Sequence, residues 1–225
     1  MLFDLHLHSK YSPDALTKPE TIIKLCKKYV IGVSVTDHNT MDIYNKSKSP
    51  LLTLAKKNKV FVIPGEEINL KKSDSFSAGE VICYFLNESI NRPTFEELLD
   101  EVKKQDALLS CPHPFDWPRK NFKSFHETWK KFDSMETYNA RAYYSGLNKK
   151  SQRFASKHSI ACLGVSDAHT PEEIANGLTE IDAVNEEEFR KQIKKKKTKV
   201  IENGGAKIHH HFQTQLAKRN IIPER

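Results

Sequence analysis

No stretch of the chain approaches the roughly 20 continuous apolar residues that a membrane-spanning helix requires. The opening MLFDLHLH carries neither a positively charged leader nor a small-residue cleavage site. A soluble, cytoplasmic protein with no membrane partner is therefore expected. Cysteine is scarce: Cys26, Cys83, Cys111 and Cys162 form no C-x-x-C pair, and three of them fall inside apolar runs. They read as reduced core residues, which argues against a disulfide framework or a thiolate-rich structural metal site. Internal repeats are absent too. Charge is plentiful but unbalanced, at +7 formally with an isoelectric point near 9.1. Much of that excess lies in residues 194–197 and in the tail 207–225. A solvated basic face is the simpler reading, and a footprint for phosphate-rich partners is the alternative.

The 225 residues suffice for one large core. Short β-rich apolar runs alternate with amphipathic stretches, the pattern of a parallel α/β architecture. Strands are expected at 2–8, 30–35, 60–64, 81–86, 107–111, 133–138, 160–165 and 181–184. Residues 71–79 are turn-like, so the strands on either side of them form a hairpin. A helix is expected to start at Thr17-Lys-Pro19-Glu20, with Thr17 as cap, and another at Thr94-x-x-Glu97. Further helices are expected at 41–58, interrupted near Ser49-Pro50, and at 124–131, 147–158 and 185–197, the last capped by Asn185. Seven or eight strands in alternation with helices suggest a closed or nearly closed barrel of TIM type. Residues 1–203 would form it, followed by a basic tail at 204–225 laid against the barrel.

The chemistry begins at Asp4-Leu-His6-Leu-His8. Strand periodicity puts Asp4, His6 and His8 on one face, where two imidazoles about 6.5–7 Å apart at Cβ can converge on one ion. An isolated H-x-H is a weak signal, but comparable groups recur after nearly every apolar run. They are Thr36-Asp37-His38-Asn39, Pro64-Gly65-Glu66-Glu67, Pro112-His113-Pro114, Glu136-Thr-Tyr138-Asn139 and Ser166-Asp167-Ala168-His169. In a parallel barrel those strand ends meet on one rim, where active sites of that fold lie. Imidazole nitrogens and carboxylate oxygens suit zinc, manganese or iron, with magnesium possible, and several anionic ligands imply more than one ion. Two or three divalent ions serving hydrolysis is the economical interpretation.

The ordered motifs His6-x-His8, Asp14, Asp37-His38, Gly65-Glu66-Glu67, Pro112-His113-Pro114 and Ser166-Asp167-Ala168-His169 resemble those of the PHP family, named for polymerase and histidinol phosphatase. The match covers roughly residues 1–180. The resemblance implies a distorted (β/α)7 TIM-like barrel with its active site at the C-terminal strand ends, and a metal-dependent phosphoric ester hydrolase. The substrate would be a small phosphomonoester, a nucleotide or a nucleic-acid end, attacked by metal-activated hydroxide with no protein nucleophile. It also implies a first metal on His6, His8, Glu67 and Asp167, a second on Glu67, His113 and Glu80, and a third on Asp14, His38 and His169. Glu80 departs from the family pattern, in which a histidine is common near this point; a carboxylate there would favour manganese, iron or magnesium over zinc.

Asp4 and Asp37 are candidates for orienting imidazole N–H groups. Glu66, Glu136 and Asn139 are candidates for the pocket, and Arg119, Arg141, Lys120 and Lys10 for phosphate clamps. Phe115, Trp117, Tyr143 and Tyr144 can pack the barrel mouth or stack on a base. His126, His158 and His209–His211 match no motif and are read as non-ligands. Two other functions remain: a non-catalytic nucleic-acid-binding barrel with vestigial metals, and a metal-dependent amidohydrolase.

Overall fold

The computed structural model describes residues 1–205 and 208–219; residues 206–207 and 220–225 of the basic tail lie outside the described residues. The strands are β1 (Leu2–Leu7), β2 (Ile31–Val35), β3 (Gly65–Leu70), β4 (Gly79–Tyr84), β5 (Leu108–Cys111), β6 (Ser134–Asn139), β7 (Ala161–Val165), β8 (Gly177–Ile181) and β9 (Thr198–Glu202). The α-helices are α1 (Pro19–Tyr29), α2 (Leu51–Asn58), α3 (Phe95–Lys104), α4 (Phe125–Thr128), α5 (Ser145–His158), α6 (Glu186–Lys194) and α7 (Ile208–Lys218). No helix among the described residues is long and apolar enough to cross a membrane.

The strands form two sheets, ordered β2-β1-β8-β9 and β3-β4-β5-β6-β7, where one closed or nearly closed barrel was expected. Isolated parallel bridges link them on both sides. Leu7 pairs with Ala168, while Val33 pairs with Val62 and His38 with Glu67. Strand direction follows from the pairings. β1 and β2 are parallel, as are β5, β6 and β7. β4 runs antiparallel to both β3 and β5. The C-terminal ends of β1, β2, β5, β6 and β7 therefore share one rim. Because β4 is reversed, its first residues lie at that rim, which brings Glu80 there.

Three apolar clusters hold the scaffold. Phe3 and Leu5 pack with Ile82, Leu163 and Phe189. Leu7 packs with Ile22, Val33, Val35 and Leu51. Leu109 and Cys111 pack with Phe95, Phe122 and Phe132. All four cysteines are free; Cys26, Cys83 and Cys111 are buried and Cys162 is partly so.

Several local expectations shift. The cap of α1 is Lys18, with no side-chain cap bond, while Pro19 occupies the first turn. Thr17 is buried and its hydroxyl has no hydrogen-bond partner. The helix expected over 41–58 is a 3-10 turn at Asp42–Tyr44 followed by α2, because Pro50 is the cap of α2. The capping boxes at Thr94 and the Asn185 cap form as expected. The run 60–64 makes only the Val62 bridge, and the strand proper is β3, which carries Glu66 and Glu67 inside it. Gly65 permits this: a Cβ there would lie 2.5 Å from Ser34 Oγ and 3.1 Å from the Cys83 carbonyl oxygen. The expected last strand, 181–184, is displaced to β8, and β9 was not foreseen. Its mixed polar and apolar residues are partly exposed at a sheet edge, so no buried run marks it.

Candidate metal centre at the strand ends

The nine residues His6, His8, Asp14, His38, Glu67, Glu80, His113, Asp167 and His169 converge at this rim. His6 Nε2 and His8 Nε2 are 3.1 Å apart. Asp167 Oδ1 lies 3.6 Å from each of these nitrogens. Glu67 stands across from them, with Oε1 3.6 Å from His6 Nε2 and Oε2 3.5 Å from His8 Nε2. The same carboxylate reaches His113 Nε2 at 3.3 Å and His38 Nδ1 at 2.9 Å. Glu80, in β4, places Oε2 3.8 Å from His113 Nε2. Asp14 Oδ1 is 3.6 Å from both His38 Nε2 and His169 Nε2.

Three groups are compact enough to hold an ion: His6, His8 and Asp167; His38, Glu67 and Glu80; and His8, His38 and His169. The first coincides with the core of the first expected set. The other two share out His38 and His8 differently from the expected second and third sets, with Asp14 and His113 alongside.

Hydrogen bonds behind the imidazoles fix their tautomers. Ser12 Oγ donates to Asp37 Oδ1 at 2.8 Å and accepts the His38 backbone N–H at 3.0 Å. Its remaining lone pair can only accept from His8 Nδ1, 3.1 Å away, so His8 turns a lone pair on Nε2 toward His6. Glu136 Oε1 accepts from His6 Nδ1 at 2.7 Å. A positive charge must then sit between the two Nε2 atoms, either a proton on His6 or a metal ion. The protonation tendencies agree. Burial disfavours the His6 imidazolium, but Asp167, Glu136 and Glu67 outweigh it and push its pKa well up. Burial and the neighbouring His169 and His38 bring His8 down to about 3. For Asp167 burial opposes ionisation, yet Arg119, His6 and His169 hold its pKa well below the usual carboxylate range. Glu67 is lowered likewise by His6 and His38 against its burial. Glu80 is raised, by burial and by the Glu67 charge.

Buried polar atoms without a hydrogen-bond partner concentrate here. Asp14 Oδ1, His38 Nδ1, Glu67 Oε2, His113 Nδ1 and Asp167 Oδ1 are five of the twelve found among the described residues. Buried polar atoms are ordinarily paired, so such a concentration on metal-ligand atom types fits absent cations. Two of the residues also hold strained backbones, His113 at φ 29° and Asp167 at φ 55°. For non-glycine residues such conformations persist where surrounding structure enforces them, often at functional sites.

The supporting candidates separate. Glu136 Oε2 accepts the His113 N–H at 2.9 Å and an Asn139 amide proton at 2.8 Å. Asn139 also donates to Asp167 Oδ2 at 2.9 Å, and Arg119 grips that same oxygen. Replacing Glu136 with Gln is expected to weaken metal affinity about 10- to 100-fold, as loss of a partner behind a ligating imidazole does. Calorimetric metal titration checks this, and unchanged affinity would remove Glu136 from the support.

Asp37 acts on His8 through Ser12, a serine that sequence reasoning missed because no motif marks it. Asp4 orients no imidazole: its oxygens accept the backbone N–H groups of Ser166 and Ala175. Arg141 is not a free clamp; both oxygens of Glu173 lie 2.7 Å from its Nη1. Glu66 points away from the rim and accepts from Ser89 Oγ and the Ile90 N–H. Strand alternation sends it outward as Glu67 turns in.

Burial raises the Glu66 pKa from 4.5 to about 7, only partly offset by the bonds from Ser89 and Ile90. A raised folded-state pKa favours the native state below the unfolded value and loses that contribution as pH rises through the folded one. Native stability should fall between about pH 4.5 and 7 on this account. Glu66→Gln should flatten that slope in urea titrations across the range; an unchanged slope would place its origin elsewhere.

A cleft of about 550 Å³ opens over the cluster, lined by Asp14, His38, Glu80 and His169 and by the cations Arg92, Arg119, Lys120, Arg141 and Lys218. His211, from the triple histidine read as inert, lines it as well. His126 and His158 instead pack on Phe154. Phe115 is buried, whereas Trp117, Tyr143 and Tyr144 are exposed.

Residues 146–198 match the family model described as PHP-associated. An uncharacterized protein of Methanocaldococcus jannaschii is 32% identical over 193 residues, covering 82% of this chain and 72% of that protein. A two-domain protein of Bacteroides vulgatus, described as containing a predicted PHP-like metal-dependent phosphoesterase, superposes with a TM-score of 0.70 at 18% identity. That alignment covers 90% of this chain and 64% of the Bacteroides chain. The lesion-specific endonuclease Q of Pyrococcus furiosus superposes with a TM-score of 0.62 at 22% identity, over 92% of this chain and 60% of its own. This chain thus spans under two thirds of either structural neighbour. The PHP-associated match and the fold shared with a PHP-like protein mean that the chain belongs to the PHP family, and its sequence kinship extends that family to the Methanocaldococcus protein.

Proposed function

We propose that the protein is a metal-dependent phosphoesterase acting on phosphate mono- or diesters. The observation that carries this reading is the convergence of His6 Nε2 and His8 Nε2, 3.1 Å apart, on Asp167 Oδ1, a buried carboxylate oxygen with no hydrogen bond, with the Glu67 carboxylate facing both. His6, His8, Glu67 and Asp167 would hold one ion; His38, His113, Glu80, Asp14 and His169 would hold one or two more. The donors are imidazole nitrogens and carboxylate oxygens, which suit manganese, iron or zinc. Bound divalent ions would supply Lewis acidity and lower the pKa of a water to near neutrality.

The chain's own residues do the rest. Glu136 and Ser12 hold the imidazoles in the tautomers that ligation needs. Arg119, kept charged beside Asp167 and opening on the cleft, would stabilise negative charge gathering on a phosphoryl group. Arg92 and Lys120 at the mouth draw anions inward. The cationic lining favours a phosphate ester over a neutral amide, and the complete ligand set weighs against a vestigial centre. We read the two bridged sheets as an opened, distorted barrel spanning residues 1–203, with the site at its C-terminal rim.

Metal analysis joined to an ester screen with added manganese, zinc or magnesium tests the reading. Chelation should abolish ester hydrolysis and metal should restore it. If reconstituted protein hydrolyses no mono- or diester, and His6→Ala leaves metal content unchanged, the reading is wrong.

A further inference from the structure

Helix α7 presents two adjacent stripes at helical spacing. His210, Thr214 and Ala217 are buried, while His211, Gln215 and Lys218 line the cleft together with the edge of Thr214. The anchor is Arg141, only 5% exposed, whose Nη2 donates to Thr214 Oγ1 at 3.0 Å and meets His211 Nδ1 at 3.3 Å. At the end of the helix, Lys218 Nζ lies 3.2 Å from Asp14 Oδ2, with its side chain 47% exposed. Asp14 is thus shared. Its other oxygen faces His38 and His169, and its Oδ2 takes the lysine.

Among the cleft's other cations, Arg141 is bound to Glu173 and Thr214, and Lys120 Nζ lies 4.0 Å from Glu80 Oε1. Arg119 grips Asp167, another proposed ligand, from a side chain only 18% exposed. Lys218 likewise pairs with a carboxylate that the proposed function commits to a divalent ion, but its side chain is 47% exposed. Once that charge is neutralised, the ammonium, on a flexible four-carbon stem, is drawn to the next anion within reach, which is the occupant of the cleft.

We propose that Lys218 is a substrate-phosphate ligand supplied by α7 and that it favours phosphomonoesters over diesters. The inference rests on the phosphoesterase reading above. A monoester phosphate carries about −1.5 to −2 charges at pH 7, and a diester one. An added ammonium therefore attracts the monoester more strongly.

Kinetics of the full-length, metal-reconstituted protein with p-nitrophenyl phosphate and bis(p-nitrophenyl) phosphate test it, with metal content measured for each variant. Lys218→Met keeps the stem and removes the charge. A charge-assisted hydrogen bond corresponds to about 10- to 100-fold in affinity. Lys218→Met should raise the monoester KM, and weaken calorimetric binding of inorganic phosphate, by about that factor, with kcat little changed. The diester KM should move less, by about 3- to 10-fold for half the charge, and Lys218→Arg should restore the monoester value. Equal effects on both esters, unchanged phosphate binding, or loss of metal from Lys218→Met would each overturn the proposal while leaving the phosphoesterase reading intact. A wild type that hydrolyses neither ester would overturn both.

Discussion

Asp167→Asn should reduce kcat/KM for phosphate-ester hydrolysis on the order of 10³-fold and lower the metal content by at least one ion per chain. The carboxylate sits where three lines of charge meet. Its Oδ1 lies 3.6 Å from His6 Nε2, His8 Nε2 and His169 Nδ1 and accepts no hydrogen bond. Its Oδ2 is held by Arg119 and by Asn139. The substitution keeps the shape but removes the negative charge that a cation between the histidines requires. It also leaves Arg119 beside a neutral amide. A bound metal supplies several kcal/mol of transition-state stabilisation, and each 1.4 kcal/mol is about tenfold in rate. Elemental analysis beside steady-state kinetics measures both effects. A variant with full metal content and activity within about tenfold of wild type would show that Asp167 is not a ligand.

The largest effect on stability is expected at Glu173. This carboxylate is fully buried; both its oxygens meet Arg141 Nη1 at 2.7 Å, and its Oε2 accepts the backbone N–H groups of His169 and Thr170 at 3.0 Å each. Glu173→Ala strands a guanidinium that is only 5% exposed and frees the loop carrying His169. Breaking a buried pair from one side typically costs about 3–5 kcal/mol. For a chain of this length that corresponds to roughly 10 °C in Tm. Urea unfolding should show the midpoint fall with an unchanged slope. Adding Arg141→Met should recover part of the loss, because the double variant leaves no lone buried charge. A single-variant loss below about 1 kcal/mol would mean that water reaches Arg141 and that the pair is not structural. Since Arg141 also anchors Thr214, Glu173→Ala should loosen α7 as well.

The metal-centre residues were legible in the sequence because of where they stand. Each of His6, His38, His113, Asp167 and His169 follows or ends a β-rich run, and parallel strands bring such ends together whatever lies between them. Glu80 was legible only through the resemblance to the PHP family, and the structure supplies the reason it fits: a reversed strand offers its beginning to the rim. The partners behind the ligands were harder to see. Ser12 sits in a loop with no periodic pattern, and although Glu173 closes a capping box with Thr170, its pairing with Arg141 comes only from what folds against it. Glu66 and Asp4 resembled site residues because strand spacing gives only a face. It does not say whether that face meets a metal or the backbone of a neighbouring segment. α7 escaped for a similar reason. Its histidine run matches no motif, and its bearing on the cleft depends on Arg141 and Glu173, which are distant in sequence.

Sequence alone therefore determined the alternation of strands and helices, the polar groups at the strand ends with His6 and His8 first among them, and, through ordered motifs, the resemblance from which the nine candidate ligands were drawn. Those features depend on local periodicity, residue type and motif order, all written along the chain. Tertiary structure decided the two-sheet arrangement, the 3.1 Å approach of His6 to His8, the buried network that sets their tautomers and the placement of Lys218 against Asp14. Each of these is a relation between segments far apart in the chain, and such relations exist only once packing has brought the segments together.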